Sequence, residues 1–283
     1  MKIALAQVPS VEGDIARNLT TALDAITRHG DAVSLMIFPE THLSGFAEIG
    51  HVADRALSLD GPEIEMLCDA SRHHDCALAI GLLEKGEQET YNTTLLITPE
   101  SGVALSYRKT HLWPDERNLV VPGDRMGVIE WRGLTLGLMI CYDIEFPETS
   151  RALAQLGVDV IVVTNGNMDP YGPTHHRAAQ ARAQDNQCFL AMSNRCGEGA
   201  GLTFAGESGV FSPSGETVFQ AEREEGIYLV TLDIALLSRA RKDYDYLADR
   251  RIALAGEPSA PLPTSSQDAL SQASTSNSTA WRF

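Results

Sequence analysis

Short apolar runs rich in β-branched residues recur along almost the whole chain, and they constrain the fold more than any other feature. Residues 3–8, 33–38, 77–83, 93–98, 134–140, 158–164, 189–192 and 227–232 form such runs, each bounded by Gly, Pro, Asn or Asp. That is how buried strands are punctuated. Helical periodicity lies between some of them. Leu19, Leu23 and Ile26 recur at i, i+4 and i+7 with Gly30 as the expected stop, and Pro62 opens a second helix. Phe146 to Leu156 reads as a third helix before Gly157, and a fourth runs from about Pro173 to Asn186. Elsewhere strand follows strand, with Pro99-Glu100-Ser101-Gly102, Arg132-Gly133 and Ser212-Pro213-Ser214-Gly215 as the turns. Hairpins mixed with helical crossovers predict an α/β layer fold with mixed sheets.

Of 283 residues, 43% are hydrophobic and 21% charged, enough apolar surface for a sizeable core. No repeat or interior linker divides the chain, so residues 1–255 read as one domain. The segment 256–283 is dominated by Ser, Thr, Ala, Gln and Pro, with only Glu257, Asp268 and Arg282 charged. Such a stretch buries too little apolar surface to offset its ordering entropy, and a mobile tail is expected. Twenty-two basic against 38 acidic residues give a net charge of −16. That balance argues against nucleic acid or an anionic membrane as partner. No apolar run approaches the ~20 residues of a membrane span, and the N-terminal run turns polar too soon for a secretory signal. Five cysteines without a Cys-x-x-Cys pair argue against a disulfide framework or zinc knuckle, and for a reducing, cytoplasmic setting. His73-His74 and His175-His176 are adjacent pairs that miss zinc-helix spacing, so no metal site is expected.

The informative residues sit where strands stop. The 33–38 run ends in Pro39-Glu40, the 103–107 run leads into Arg108-Lys109, and the 134–140 run ends in Cys141. Open α/β sheets hold their ligands at such a rim. A cysteine thiol titrates near pKa ~8.5, so a neutral-pH nucleophile needs a base or a cationic neighbour. Glu40 could take the proton, while Lys109 could favour the thiolate and stabilise an oxyanion. Cys141 stands between a strand and an expected helix start, and the dipole there is expected to lower its pKa.

Phe38-Pro39-Glu40, Tyr107-Arg108-Lys109-Thr110-His111-Leu112 and Cys141-Tyr142-Asp143-Ile144-Glu145-Phe146-Pro147-Glu148 resemble, in order and spacing, the Glu-Lys-Cys signature blocks of the nitrilase superfamily of carbon–nitrogen hydrolases. The resemblance extends to Glu116 ahead of Pro122-Gly123, to Arg182-Ala183-Gln184-Asp185-Asn186, and to Gly206-Glu207-Ser208. It implies a four-layer α-β-β-α sandwich that assembles into homodimers or larger homo-oligomers, and a thiol mechanism without metal or cofactor. By residue match, Cys141 is the nucleophile, Glu40 the general base, and Lys109 the oxyanion partner. Glu116 matches the family's second glutamate, which positions substrate and Lys109.

Within the family the strings are most similar to small bacterial amidases of the aliphatic or 5-aminopentanamidase-like type. The substrate expected is a small carboxamide, cleaved to carboxylate and ammonia through an acyl-cysteine. Nitrile and N-carbamoyl substrates stay open on the same triad, as does an idle interaction protein on this scaffold. Many members place Arg before Phe-Pro-Glu, where this chain has Glu145. A carboxylate near the pocket suits a cationic, ω-amino substrate; its alternative role is pairing with Arg151 or a neighbouring strand. Tyr142 and Glu145 are expected to bind substrate. So are Asn167 and Met168, in the loop that runs on to Tyr171.

Overall fold

Ile3 and Leu5 leave the first strand on one side and Ala4 and Ala6 on the other. In the computed structural model each pair joins a different hydrophobic core. The structure describes residues 1–252, 254, 257–259 and 278–282. Its strands are β1 (Lys2–Gln7), β2 (Leu35–Ile37), β3 (Ala77–Lys85), β4 (Thr90–Thr98), β5 (Gly102–Arg108), β6 (Arg125–Trp131), β7 (Leu134–Ile140), β8 (Val160–Asn165), β9 (Phe189–Asn194), β10 (Cys196–Gly199), β11 (Leu202–Ala205), β12 (Gly209–Phe211), β13 (Thr217–Gln220), β14 (Gly226–Thr231), β15 (Glu257–Ser259) and β16 (Ser278–Arg282). The helices are α1 (Ile15–His29), α2 (Val52–Arg55), α3 (Pro62–His73), α4 (Pro147–Gln155), α5 (Gly172–Asn186) and α6 (Ala235–Ala240).

Two mixed sheets stack face to face. One is ordered β14-β1-β2-β3-β4-β5 and the other β13-β12-β9-β8-β7-β6-β16-β15. β1, β2 and β3 run parallel, as do β7, β8 and β9, while hairpins add antiparallel strands at the flanks. Strand alternation builds the layers. Leu35, Ile37, Ala77 and Ala79 face inward with Ile3 and Leu5, joining Val128, Leu136 and Val160 of the second sheet. Met36, Leu78 and Ile80 face outward, onto Leu19, Ala22 and Ile26 of α1 and Ile64 and Leu67 of α3. Leu153 of α4 and Ala179 and Ala183 of α5 cover the opposite side of the second sheet. The result is the four-layer α-β-β-α sandwich. Each fully buried Leu or Ile here contributes about 1.5–3 kcal/mol from burial.

Local sequence explains the element ends. Asp14 accepts from Arg17 N at 3.1 Å to cap α1. Pro62 and Pro147 stand in the first turns of α3 and α4, where a missing N–H costs nothing. Gly30 does not stop α1 through a left-handed residue; its φ of −57° carries the chain into a 3₁₀ turn, Gly30–Ala32. Arg132 and Gly133 take φ of 49° and 77° in the two-residue turn between β6 and β7.

Within 256–283, the described parts are strands, unlike the mobile tail expected from composition. β16 pairs antiparallel with β6, placing Ala280 opposite Gly127, and β15 pairs with β16. The edge of β6 offers hydrogen-bond partners that composition does not reveal. The rest of that segment lies outside the described residues. Among the described residues, no helix is long and apolar enough to cross a membrane, and no group of His, Cys, Asp and Glu has a metal-holding arrangement.

Candidate active site

The three rim residues meet at one end of the stacked sheets. β2 runs through Phe38 and Pro39 to Glu40, β5 runs into Lys109, and β7 ends at Cys141. Glu40 and Lys109 are each 1% exposed and Cys141 is 7% exposed. Lys109 Nζ donates to Glu40 Oε1 and to Glu116 Oε2, both at 2.6 Å. Glu116 sits in the 3₁₀ turn Pro114–Glu116, and Trp113 N donates to its Oε2 at 3.0 Å. Asn92 of β4 bridges the carboxylates, donating through Nδ2 to Glu40 Oε1 at 2.8 Å and Glu116 Oε1 at 2.7 Å.

Glu40 Oε2 is buried with no hydrogen-bond partner among the described residues. Facing it is Gly166, just past β8, where an added Cβ would lie 2.6 Å from that oxygen. The Gly166 backbone also favours the ionised form of the Cys141 thiol. Cys141 itself has φ 43°, a left-handed conformation unusual for a non-glycine residue and concentrated at functional sites.

Burial dominates the electrostatics. It raises the Glu116 pKa, with Lys109 opposing and Glu40 reinforcing the rise. Burial also works against the Lys109 ammonium, but Glu116 and Glu40 outweigh it and hold that group charged well above its ordinary pKa. The Cys141 thiol is pushed well up, first by burial and then by the Glu40 carboxylate; Lys109 and the Gly166 N–H offset only part. This reverses the lowered pKa expected for Cys141. The expected helix begins only at Pro147, and Cys141 opens a five-residue 3₁₀ turn, Cys141–Glu145, too short for an appreciable dipole. A protonated resting thiol needs a base at the moment of attack.

Asp143 fastens the nucleophile turn to the lysine segment. Fully buried, it accepts from Tyr107 Oη at 2.7 Å, Thr110 Oγ1 at 2.8 Å, His111 N at 2.9 Å and Ile140 N at 3.1 Å. Arg182 of α5 donates to the carbonyls of Ile144 and Glu145 at 3.1 and 3.3 Å, which accounts for part of the Arg182–Asn186 string. At Gly123 a Cβ would meet Arg108 O at 2.3 Å, and its N–H donates to Lys109 O at 2.9 Å. Only glycine fits so close to the lysine's backbone.

The expected substrate-binding residues separate into groups. Tyr142 is half-buried beside Cys141 and meets Trp113 edge-on at 5.2 Å between ring centroids; Trp113 meets Tyr171 at 5.3 Å. Met168 packs with Phe46 and Phe204 in a small apolar cluster. Asn167 is anchored by its backbone, with N donating to Asn194 Oδ1 at 2.8 Å. Glu145 pairs with neither Arg151 nor a strand; its Oε1 faces His175 Nε2 at 3.2 Å. Arg151 instead donates to Asp185 O. Sequence reasoning missed Asn92, Gly166, Asp143 and His175. Asp143 lies within the cysteine string, and Asn92 is an amide next to an apolar strand run, which were the available signals.

The carbon–nitrogen hydrolase family model matches residues 2–242. An (R)-stereoselective amidase from Pseudomonas sp is 52% identical over 258 residues, spanning 91% of this chain and 94% of that relative. The crystal structure of an amidase from Nesterenkonia sp. superposes with a TM-score of 0.80 at 31% identity, covering 89% of this chain and 93% of that one. A variant of the Nesterenkonia sp. AN1 amidase, with TM-score 0.79, 31% identity and coverage of 89% and 94%, carries the acetamide moiety of fluoroacetamide covalently at its active-site cysteine. The chain belongs to the carbon–nitrogen hydrolases of the nitrilase superfamily. It is an amide-hydrolysing enzyme that uses a buried cysteine as nucleophile.

Proposed function

We propose that Cys141 is that nucleophile and that the enzyme cleaves small carboxamides through an acyl-cysteine. The observation that carries this reading is the division of the Glu40 carboxylate, with Oε1 held by Lys109 and Asn92 and Oε2 unpartnered. Oε2 takes the thiol proton as Cys141 Sγ attacks the amide carbon, and the carbonyl π pair moves to oxygen. The Lys109 ammonium stabilises that oxyanion. Collapse of the tetrahedral adduct breaks the C–N bond, and the proton on Glu40 leaves with ammonia. Water then attacks the thioester, giving its proton to Glu40; that proton returns to sulfur as the carboxylate product departs. Glu116 is the positioning residue, because it holds Lys109 in place and charged while Glu40 is protonated.

The substrate side group rests against Trp113, Tyr142 and Tyr171, which the edge-on ring contacts hold together. Glu145, engaged by His175, is not a cation anchor. The stereoselective relative from Pseudomonas sp supports preference for one enantiomer of a chiral carboxamide. Residues 1–255 form the catalytic domain, and the odd cysteine count supports a reducing cytoplasm. Assembly as a homodimer or larger is supported by Tyr244, Tyr246 and Ile252, which are exposed large side chains within nine residues of one another. The test is ammonia release from the separate enantiomers of a 2-substituted carboxamide, with propionamide, 5-aminopentanamide and a matching nitrile alongside. Faster release from one enantiomer supports the reading. A nitrile as the preferred substrate overturns its substrate class, and preference for 5-aminopentanamide overturns the reading that Glu145 is no cation anchor.

A further inference from the structure

His175 is 3% exposed and takes no part in the mechanism above. Its Nε2 faces Glu145 Oε1 at 3.2 Å and its Nδ1 faces Asn165 Oδ1 at 3.1 Å. The amide nitrogen of Asn165 donates to Met192 Sδ at 3.1 Å, so the amide oxygen is turned toward the imidazole. The ring therefore joins two elements that both carry reacting groups. Glu145 ends the 3₁₀ turn that Cys141 begins. Asn165 ends β8, its carbonyl accepts from Glu40 N at 3.2 Å, and its neighbour Gly166 faces both Glu40 Oε2 and the Cys141 sulfur. Arg182, two turns along α5 from His175, holds the backbone carbonyl of the same Glu145 at 3.3 Å. One helix thus grips the nucleophile turn by its main chain and, through Glu145, by its side chain.

We propose that His175 and Glu145 are a pair of positioning residues that fix the Cys141 turn against the β8 end, setting the thiol relative to the Glu40 carboxylate. This rests on the assignment of Cys141 and Glu40 made above. Both elements place reacting atoms, so the pair acts on the chemical step and not on substrate capture. A small misplacement of reacting groups can cost on the order of 100-fold in rate.

The experiment measures kcat and KM for one carboxamide turned over by the wild type, with His175→Ala, Glu145→Ala, the double variant and Glu145→Gln. Thermal melting of each variant accompanies the kinetics. Each single alanine variant should lose about 10- to 100-fold in kcat with KM within about twofold. The double variant should lose no more than the worse single, because the two side chains act as one contact. Glu145→Gln keeps an acceptor oxygen at the same reach and should recover kcat to within about threefold of wild type, consistent with a hydrogen-bonded strut. If His175→Ala does not fold, Glu145→Ala, whose side chain is partly exposed, carries the test against Glu145→Gln. Unchanged kcat in the alanine variants, a rise in KM alone, or losses that multiply in the double variant would each overturn the proposal. Cys141→Ala run in parallel separates the two readings. Residual turnover there removes the nucleophile assignment, whatever the pair does.

Discussion

Lys109 Nζ lies 2.6 Å from Glu40 Oε1, and the other oxygen of that carboxylate has no hydrogen-bond partner among the described residues. The ammonium thereby engages one carboxylate oxygen and leaves the other open to accept a proton in the proposed mechanism. Asn92 strengthens the arrangement by donating to the same oxygen at 2.8 Å. Buried Lys109 stays charged because Glu116 bonds it from the other side at 2.6 Å. A buried charge without such a partner would be costly.

The close approach of Gly166 to Glu40 Oε2 gives the first prediction. Gly166→Ala would place a Cβ 2.6 Å from that oxygen, which must then move. Activity should fall by about 100-fold or more, since the proposed base is displaced from its partner. The melting temperature should shift little, because the site's other hydrogen bonds remain. Steady-state kinetics and thermal melting of the purified variant check both parts, and a variant of normal activity would show that Oε2 tolerates displacement.

Asp143 offers a stability test. Its carboxylate accepts from Tyr107, Thr110, His111 and Ile140, which ties β5 and the lysine segment to the nucleophile turn. Asp143→Asn replaces one acceptor oxygen with a donor facing donors. Loss of two or more such bonds at a buried site should cost about 2–5 kcal/mol. Urea unfolding measures it, and a loss under 1 kcal/mol would mean the neighbours find other partners.

His42 makes stability depend on acid. Burial lowers its pKa to about 4, with the Asn18 carbonyl opposing and Arg195 adding to the fall. The unfolded chain takes up a proton near the ordinary 6.5, and the folded protein resists until about 4. A base with a depressed folded pKa contributes stability above its unfolded value and loses it as pH falls from 6.5 toward 4. That single group should remove about 2 kcal/mol between pH 7 and pH 5. In His42→Gln this part of the pH dependence should vanish, which urea unfolding at the two pH values would reveal.

The layers, and the three strand ends that bring Glu40, Lys109 and Cys141 together, were legible in the sequence because both rest on local patterns. Short apolar runs rich in β-branched residues, turn residues at Pro99–Gly102 and Arg132-Gly133, and proline at helix starts each act within a few residues. Glu40, Lys109 and Cys141 stood out because each follows a strand end. What stayed hidden depends on contacts across the fold. Asn92 matters only because β4 brings it between Glu40 and Glu116, and Gly166 only because β8 brings its backbone against Glu40. The raised pKa of Cys141 was missed because burial cannot be read from a strand-to-helix junction. The partner of Glu145 was not read because His175 lies thirty residues away on α5. β16 escaped notice because its partner edge on β6 is remote in sequence.

Ammonia release by Cys141→Ala, with melting to show an intact fold, tests the central claim most directly. The thiols of Cys76 and Cys188 are pushed up to about 12 and that of Cys196 to about 11, each chiefly by burial and none beside the Lys109 ammonium. None of them can substitute. Turnover of every carboxamide accepted by the wild type should fall below detection, as expected when a covalent nucleophile is removed. A folded Cys141→Ala enzyme retaining more than about 1% of wild-type kcat, with contamination excluded, would contradict the account.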